Sequence, residues 1–447
     1  MKRFLRTMTS LTAPPRVPIP ANGVDYRGKL VLAPMVRSGE LPSRLLALRY
    51  GADLVWGPET IDRAMIGTTR RVNPRNGTIE FFRRPSNGGR PDRPIYDSVI
   101  YRIDPVREKG KLIYQIGTAS PELAVEAAKI VAADVAGIDV NSGCPKPFST
   151  SGGMGAALLR TPDKLCAILE ALVREVGTPF QIGISVKIRI LAQPEETEQL
   201  VTRLVKTGIT GLTVHCRTTP MRPREKAIRD QLRMVANVCH EAGVACVMNG
   251  DVTSREEGLA LMEEFGVDGA MIATAAETNP SCFQTEAQGG LLPWRDVVHE
   301  YVRFCLESEN RFGNTKYLLN MMIPGKNKEF KMAKNARSYW DCCHLLQFED
   351  LLPLAEQVDQ TLNIADRSVY KEEARNKAVQ NALENNETAR AAGGAPRSKP
   401  TSPVVAAAGG PIRTNSIPKP TAKPETTATV ETAPVPEQTT QQPELAA

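Results

Sequence analysis

The amino-acid sequence predicts an α/β protein: a (β/α)8 TIM barrel, then a smaller all-helical domain, then a disordered C-terminal tail. Three observations predict it. Between residues 30 and 275, eight short runs rich in Val, Ile and Leu alternate with longer amphipathic stretches, a pattern that suits strands buried on both faces of a parallel sheet. Beyond them the apolar spacing is helical. From Lys371 onward there is no Phe, Trp or Tyr, and ten prolines follow residue 390, so this stretch cannot bury enough apolar surface to offset its ordering entropy. The boundaries read as a flexible N-terminal segment at 1–27, a barrel at 28–290 with an insertion at about 62–110, a helical domain at 291–387, and the tail at 388–447.

The strand runs are Leu30–Met35, Leu54–Glu59, Leu112–Gly117, Gly137–Asn141, Ile184–Arg189, Gly211–Arg217, Ala245–Gly250 and Gly269–Thr274. The segments between them carry helix signals. Ser120 and Pro121 read as N-cap and first helical residue. Thr161-Pro162 opens a helix that stops at Gly177, Pro194 opens a third, and Thr253 opens a fourth. The gap between the second and third runs is more than twice that of most neighbours and holds the insertion. An open nucleotide-binding sheet would place G-x-G-x-x-G after its first strand. Here that strand ends in Ala33-Pro34-Met35-Val36, and the cluster Ser151–Gly155 lacks the spacing.

Composition narrows the function. The chain has 447 residues, 41% hydrophobic and 24% charged, with no run of about 18 to 20 apolar residues, so no membrane partner is expected. Nine cysteines, odd in number and irregularly spaced, argue for a reducing compartment. No Cys or His pair has metal-ligand spacing, and Cys342-Cys343-His344 is too crowded for zinc, so no metal is expected. Residues 1–24 carry Lys2, Arg3, Arg6 and Arg16 with no acid before Asp25, the composition of a weak mitochondrial transit peptide, which prolines at 14, 15, 18 and 20 confine to its first dozen residues. The expected compartment is the cytoplasm, with a mitochondrial or nuclear pool. Net charge is only +6, yet eight arginines between Arg63 and Arg93 face Glu80 and Asp92, and six basic residues between Lys316 and Arg337 face Glu329 alone. Two such patches can meet a polyanion.

Barrel chemistry lies at the C-terminal strand ends. Those positions hold Pro34, Met35, Val36, Glu59, Gln115, Asn141, Cys144, Lys187, Arg189, His215, Arg217, Asn249, Gly250, Asp251 and Thr274. Cys144, between Gly143 and Pro145 in a tight loop, reads as a thiol nucleophile or proton donor, whereas the other cysteines fall in apolar pattern.

The segments Pro34-Met35-Val36, DVNSGCPKPFSTSGGMGAALL at 139–159, KIRI at 187–190, VHCR at 214–217, NGD at 249–251 and NPSCF at 279–283 resemble the tRNA-dihydrouridine synthases. The form of the cysteine loop and Asn314-Thr315-Lys316-Tyr317 resemble the eukaryotic type acting on uridine 20. The resemblance spans about residues 28–350. It implies an FMN-dependent enzyme, with NADPH as reductant, that reduces the C5=C6 bond of uracil in tRNA, as a monomer. By the same resemblance Cys144 protonates C5 and is the catalytic residue. Pro34, Met35, Val36, Gln115, Asn141, Lys187 and His215 hold the flavin, and Asn249, Gly250, Asp251, Ala273 and Thr274 line its phosphate. Arg189, Arg217, Lys328, Lys331, Lys334 and Arg337 meet the RNA. A lysine beside reduced flavin stabilises its negative charge, and a stacked uridine must be extruded over a wide basic surface.

Two departures stand out. Where the family usually carries an arginine on the FMN phosphate, this chain has Thr274, which lacks the charge; Arg217 is the candidate substitute. The tail replaces the double-stranded-RNA-binding domain of animal members, and with nine basic and eight acidic residues from Lys371 on it is a poor RNA arm. Two other readings stay open: an FMN-dependent reductase or dehydrogenase of a free pyrimidine, and a flavin-free tRNA-binding protein.

Overall fold

The structure is a computed structural model that describes residues 16–83 and 98–364. The tail at 388–447, and Arg84, Arg90 and Arg93 of the insertion, lie outside the described residues.

Eight parallel strands form the barrel: β1 Lys29–Leu32, β2 Leu54–Trp56, β3 Leu112–Gly117, β4 Gly137–Ser142, β5 Gly183–Arg189, β6 Gly211–His215, β7 Ala245–Asn249 and β8 Gly269–Ile272. Each pairs with its sequence neighbour, β1 with β8, and β2 with β3 through Val55–Leu112 and Trp56–Ile113, so the sheet closes. Several sequence runs overshoot these strands, because the chain turns into the rim loops once pairing ends. Between β2 and β3, strands Thr69–Val72, Ile79–Arg83 and Ser98–Ile103 form a separate antiparallel sheet. Turn residues alone did not disclose it.

The helix signals hold with local corrections. Ser120 caps Pro121–Val131 by accepting the Leu123 N–H at 3.3 Å. Ser254, one residue past the expected Thr253, caps Arg255–Phe265 by accepting the Glu257 N–H. Helix Pro162–Leu172 does not stop at Gly177. It continues through a π turn, Val173–Gly177, and Thr178–Phe180 before Gln181 exits at φ 56°.

The N-terminal segment is not flexible throughout. Residues 16–27 are pinned by Val17 N–H to Gly243 O and Asn22 N–H to Gln181 O, at 2.9 and 2.7 Å, and they deliver Val24 and Tyr26 into the barrel. There the two pack with Val31, Leu54, Trp56, Ile113, Val247 and Met271. Tyr26, through its ring and its backbone, explains two strand-opening glycines that apolar periodicity left without a purpose. A Cβ on Gly211 would lie 2.6 Å from its ring carbons, and one on Gly269 would lie 2.9 Å from its carbonyl.

The helical domain comprises Trp294–Glu307, Phe312–Met322, Lys328–Asn335, Tyr339–Leu346 and Leu352–Thr361. It is not separate from the barrel. Its core includes Leu41, Leu45, Leu46 and Tyr50 from the helix after β1 and the residue following it, while Ala47 of that helix faces the barrel core. The helix Leu41–Arg49 is thus buried from both sides.

The insertion's basic patch is also corrected. Arg70 pairs with Asp134, Arg71 with Glu80 and Arg75 with Glu309, while Arg83 donates to the carbonyls of Arg63 and Ile66. Glu80 is further held by Arg102, and Glu309 by Asn73. Arg70 and Arg75 therefore staple the insertion to the barrel and to the helical domain, and Arg71 and Arg83 brace it from within, so these four arginines are engaged although Arg70, Arg71 and Arg75 remain exposed.

Replacing Tyr26 by Ala empties the lower end of the barrel. The expected cost is about 3–5 kcal/mol of unfolding free energy, read from urea denaturation. A loss below about 1 kcal/mol would show that the ring is not the plug.

Candidate active site

The upper end of the barrel is polar, and its side chains hold one another. Cys144 sits in the loop after β4, half-buried. Asn141 shapes that loop: its Oδ1 accepts the N–H groups of Gly143 and Cys144 at 3.0 and 3.2 Å. Ala156 N–H donates to Cys144 O at 2.9 Å, and Arg189 Nε donates to Gly143 O at 2.7 Å. The return of the loop passes Gly155 at φ 57°, where a Cβ would lie 2.7 Å from Cys144 O, so only glycine fits. Burial, and secondarily the charge of Glu59, push the Cys144 thiol up. It therefore stays protonated at neutral pH and can act as an acid.

Beneath it, Lys187 Nζ donates to Asn249 Oδ1 at 2.9 Å, and Asn249 Nδ2 donates to Met271 O at 2.9 Å, tying β5, β7 and β8 together. Burial, then the charge of Arg189, lower Lys187 to about 8. Asp139 lies deeper, accepting from Gln115 Nε2 and Ser185 Oγ at 2.8 Å each; burial pushes it up to about 6. His215 is held far below its ordinary value by burial and by Lys187, Arg189 and Arg217. Because arginine only donates, the Arg217 contact at 3.3 Å makes His215 Nε2 an acceptor and the imidazole neutral.

The structure thus brings together Gln115, Asn141, Cys144, Lys187, His215 and Asn249. Pro34 and Met35 are half-buried and Val36 is exposed on the loop after β1. The next residue, Arg37, has φ 73° and stacks its guanidinium 4.2 Å over the Tyr317 ring, so the helical domain borders the barrel mouth. Gly250 (φ 125°) and Asp251 (φ 51°) form a left-handed turn after β7. Ala273 and Thr274 follow β8, Thr274 exposed at the start of a short helix, Thr274–Thr278.

Three expectations change. Arg217 is 4% exposed and donates to the carbonyls of Glu225 and Pro223 and to Asp251. It is neither a free RNA contact nor a spare cation near Thr274, because its guanidinium is engaged in holding the loop after β6. Arg189, also buried, braces Gly143 O and Thr218 O, so its role here is to fix the cysteine loop. Arg337 does not extend the lysine face: the helix ends at Asn335 and the chain turns extended at Ala336. Lys328, Lys331 and Lys334 are exposed on that helix and form no ion pair among the described residues.

Sequence reading gave no role to Glu59, Ser149, Asp139 or Arg229. Glu59 stands at a strand end and Ser149 within the loop motif, so their position was the available signal. Arg229 donates to the carbonyls of Gly250 and Asp251 at 3.2 and 2.9 Å, a contact with no sequence signature. Among the described residues no three His, Cys, Asp or Glu side chains converge on a metal position, and no helix is long and apolar enough to cross a membrane.

A family described as Dihydrouridine synthase (Dus) matches residues 31–363. The chain is 49% identical over 331 residues to a Schizosaccharomyces pombe tRNA-dihydrouridine(20) synthase (NAD(P)+), covering 73% of this chain and 66% of that relative. It is 44% identical over 320 residues to the Saccharomyces cerevisiae protein of the same name, covering 70% and 82% respectively. A Schizosaccharomyces pombe tRNA-dihydrouridine(20a/20b) synthase (NAD(P)+) is 30% identical over 253 residues, covering 57% and 68%.

The enclosed lysine yields a stability test. The folded chain lowers Lys187 from 10.5 to about 8, so between those values the unfolded chain binds the extra proton and this residue makes stability rise with pH. In the ligand-free protein Lys187→Met should add roughly 1–2 kcal/mol of stability at neutral pH and flatten that rise. Urea melts across the interval check both, and a destabilised variant would mean that the ammonium is well compensated.

Proposed function

Because this chain belongs to the dihydrouridine synthase family, we propose that it reduces the C5=C6 bond of a uridine in tRNA, at position 20, with Cys144 as the proton donor. The observation that carries the reading is a half-buried thiol fixed at the barrel rim by Asn141 and Arg189, beside an enclosed lysine whose bonded partner is a neutral amide. Position 20 is favoured because the relatives at 49% and 44% identity are named for it, whereas a 20a/20b enzyme is 30% identical.

The residues at the rim fit FMN. Lys187 is a buried cation able to meet an anionic ring edge, and His215 is neutral. The turn at Gly250–Asp251 needs its glycine, because at φ 125° a Cβ there would lie 3.1 Å from Ala227 Cβ. Pro34, Met35, Val36 and Gln115 would hold the ring, and Asn249, Gly250, Asp251, Ala273 and Thr274 the phosphate end. Bound FMN, reduced by NADPH, would supply hydride for C6.

The chain's own residues do the rest. Cys144 holds its proton at neutral pH, and the charges of Lys146 and Arg189 stabilise the thiolate left after C5 is protonated. Asn141 keeps the sulfur in place through the two N–H groups it accepts. Lys328, Lys331 and Lys334 offer phosphate contacts on the helical domain, whose Tyr317 reaches the mouth.

Cys144→Ala should lower dihydrouridine formation by about 10²- to 10⁴-fold while bound flavin is still reduced by NADPH. Mass spectrometry of tRNA from a deletion strain should lack dihydrouridine at position 20. Turnover of free uracil by the intact protein, with tRNA unmodified, would instead support a small-molecule reductase.

Replacing Lys328, Lys331 and Lys334 together by Ala should weaken tRNA binding and reduce the salt slope of log K by about one unit per lost contact. Titration over a range of salt concentrations measures it, and an unchanged slope would turn this face away from RNA.

A further inference from the structure

The cysteine loop is held from a direction that the reaction does not account for. Glu59 stands just beyond β2, and its Oε1 accepts from Ser149 Oγ at 3.1 Å. Ser149 is fully buried in the same loop as Cys144. The Asn141 side chain also steadies the carboxylate, yet its second oxygen, Oε2, is buried and makes no full hydrogen bond, an arrangement that is costly unless the group has a task. Two glycines make the approach. A Cβ on Gly117 would lie 2.5 Å from Glu59 Oε1, and one on Gly155 would collide with Ser149 Oγ while lying 3.3 Å from Cys144 Cβ. The width of one glycine therefore separates the serine hydroxyl from the carbon that carries the thiol.

The charges around the sulfur give this contact a purpose. Lys146 from its own loop and Lys187 and Arg189 from β5 all favour a thiolate, and Glu59 is the acid set against them. An acid catalyst at that position must remain a thiol. Burial pushes the Glu59 carboxyl up, and the charge of Glu59 is among the influences that push the Cys144 thiol up.

We propose that Glu59 is a positioning residue for Cys144: through Ser149 it clamps the cysteine loop, and its negative charge offsets the three cations so that the sulfur keeps its proton. This rests on Cys144 being the acid of the proposed reaction. It gives the serine of the loop motif and the glycines that crowd it a common purpose.

The test is the pH dependence of iodoacetamide alkylation of Cys144 in the full chain, with Cys144→Ser as the background. Glu59→Gln keeps the hydrogen-bond acceptor and removes the charge, and should move the midpoint down by about one unit. Ser149→Ala releases the carboxylate and should move it the same way by less. Midpoints unchanged in both folded variants would overturn the proposal, as would an unchanged midpoint in Ser149→Ala should Glu59→Gln fail to fold. The alkaline limb of dihydrouridine formation, measured alongside, separates this inference from the functional reading. A shifted midpoint with an unshifted limb would sink Cys144 as the acid and leave the Glu59 contact standing.

Discussion

Closing eight parallel strands leaves an axis with two ends, and one of them must be filled before the other can be polar. In this protein the N-terminal segment provides the filling, with Tyr26 set against Trp56 at a ring separation of 5.8 Å. Above that plug the inward positions change character. Asp139 accepts from Gln115 and Ser185, and Lys187 donates to Asn249, in a layer whose members would be costly to bury singly. The rigid, dry lower half is what lets such a layer keep its geometry.

Electrostatics at the rim follow from an imbalance. Lys187, Arg189 and Arg217 crowd His215, while the acids within reach are few: Asp139 below, Asp251 on Arg217, Glu59 beside the cysteine loop. The excess positive charge suits anionic ligands, yet it also threatens the protonation of Cys144. The same cations would stabilise the charge left on the sulfur once the proton has gone. Burial and Glu59 supply the opposing tendency, so the site holds a proton that it can also release.

Arginine serves this chain mainly as scaffolding. Arg44, 1% exposed and paired with Glu108 at 2.6 Å, also donates to Gly39 O and Arg102 O, fixing the loop after β1. Asn314 donates to Glu40 in that loop, and Arg75 and Arg107 reach Glu309 and Glu307. Planar forks that satisfy carbonyls and carboxylates together thus join barrel, insertion and helical domain. The lysines of helix Lys328–Asn335 are exposed and form no ion pair among the described residues.

The sequence by itself determined the barrel, because strands buried on both faces must be written as short apolar runs and each needs a helix to cover it. It also singled out Cys144, since only a tight loop wants Gly, Cys and Pro together after a strand. Tertiary structure decided the remainder, where pairing partners are remote in sequence. Charge counting made the 63–93 arginines an outward patch, whereas Arg70 finds Asp134 and Arg75 finds Glu309 only once the chain is folded. A basic, proline-rich composition made residues 1–27 a loose segment, although a single tyrosine from it closes the barrel. Arg189 and Arg217 lie at strand ends, as rim residues should, and only the folded loops show their guanidinium groups turned to backbone carbonyls. Residue type and strand position are local properties, but the partner that neutralises a charge is set by distance in space.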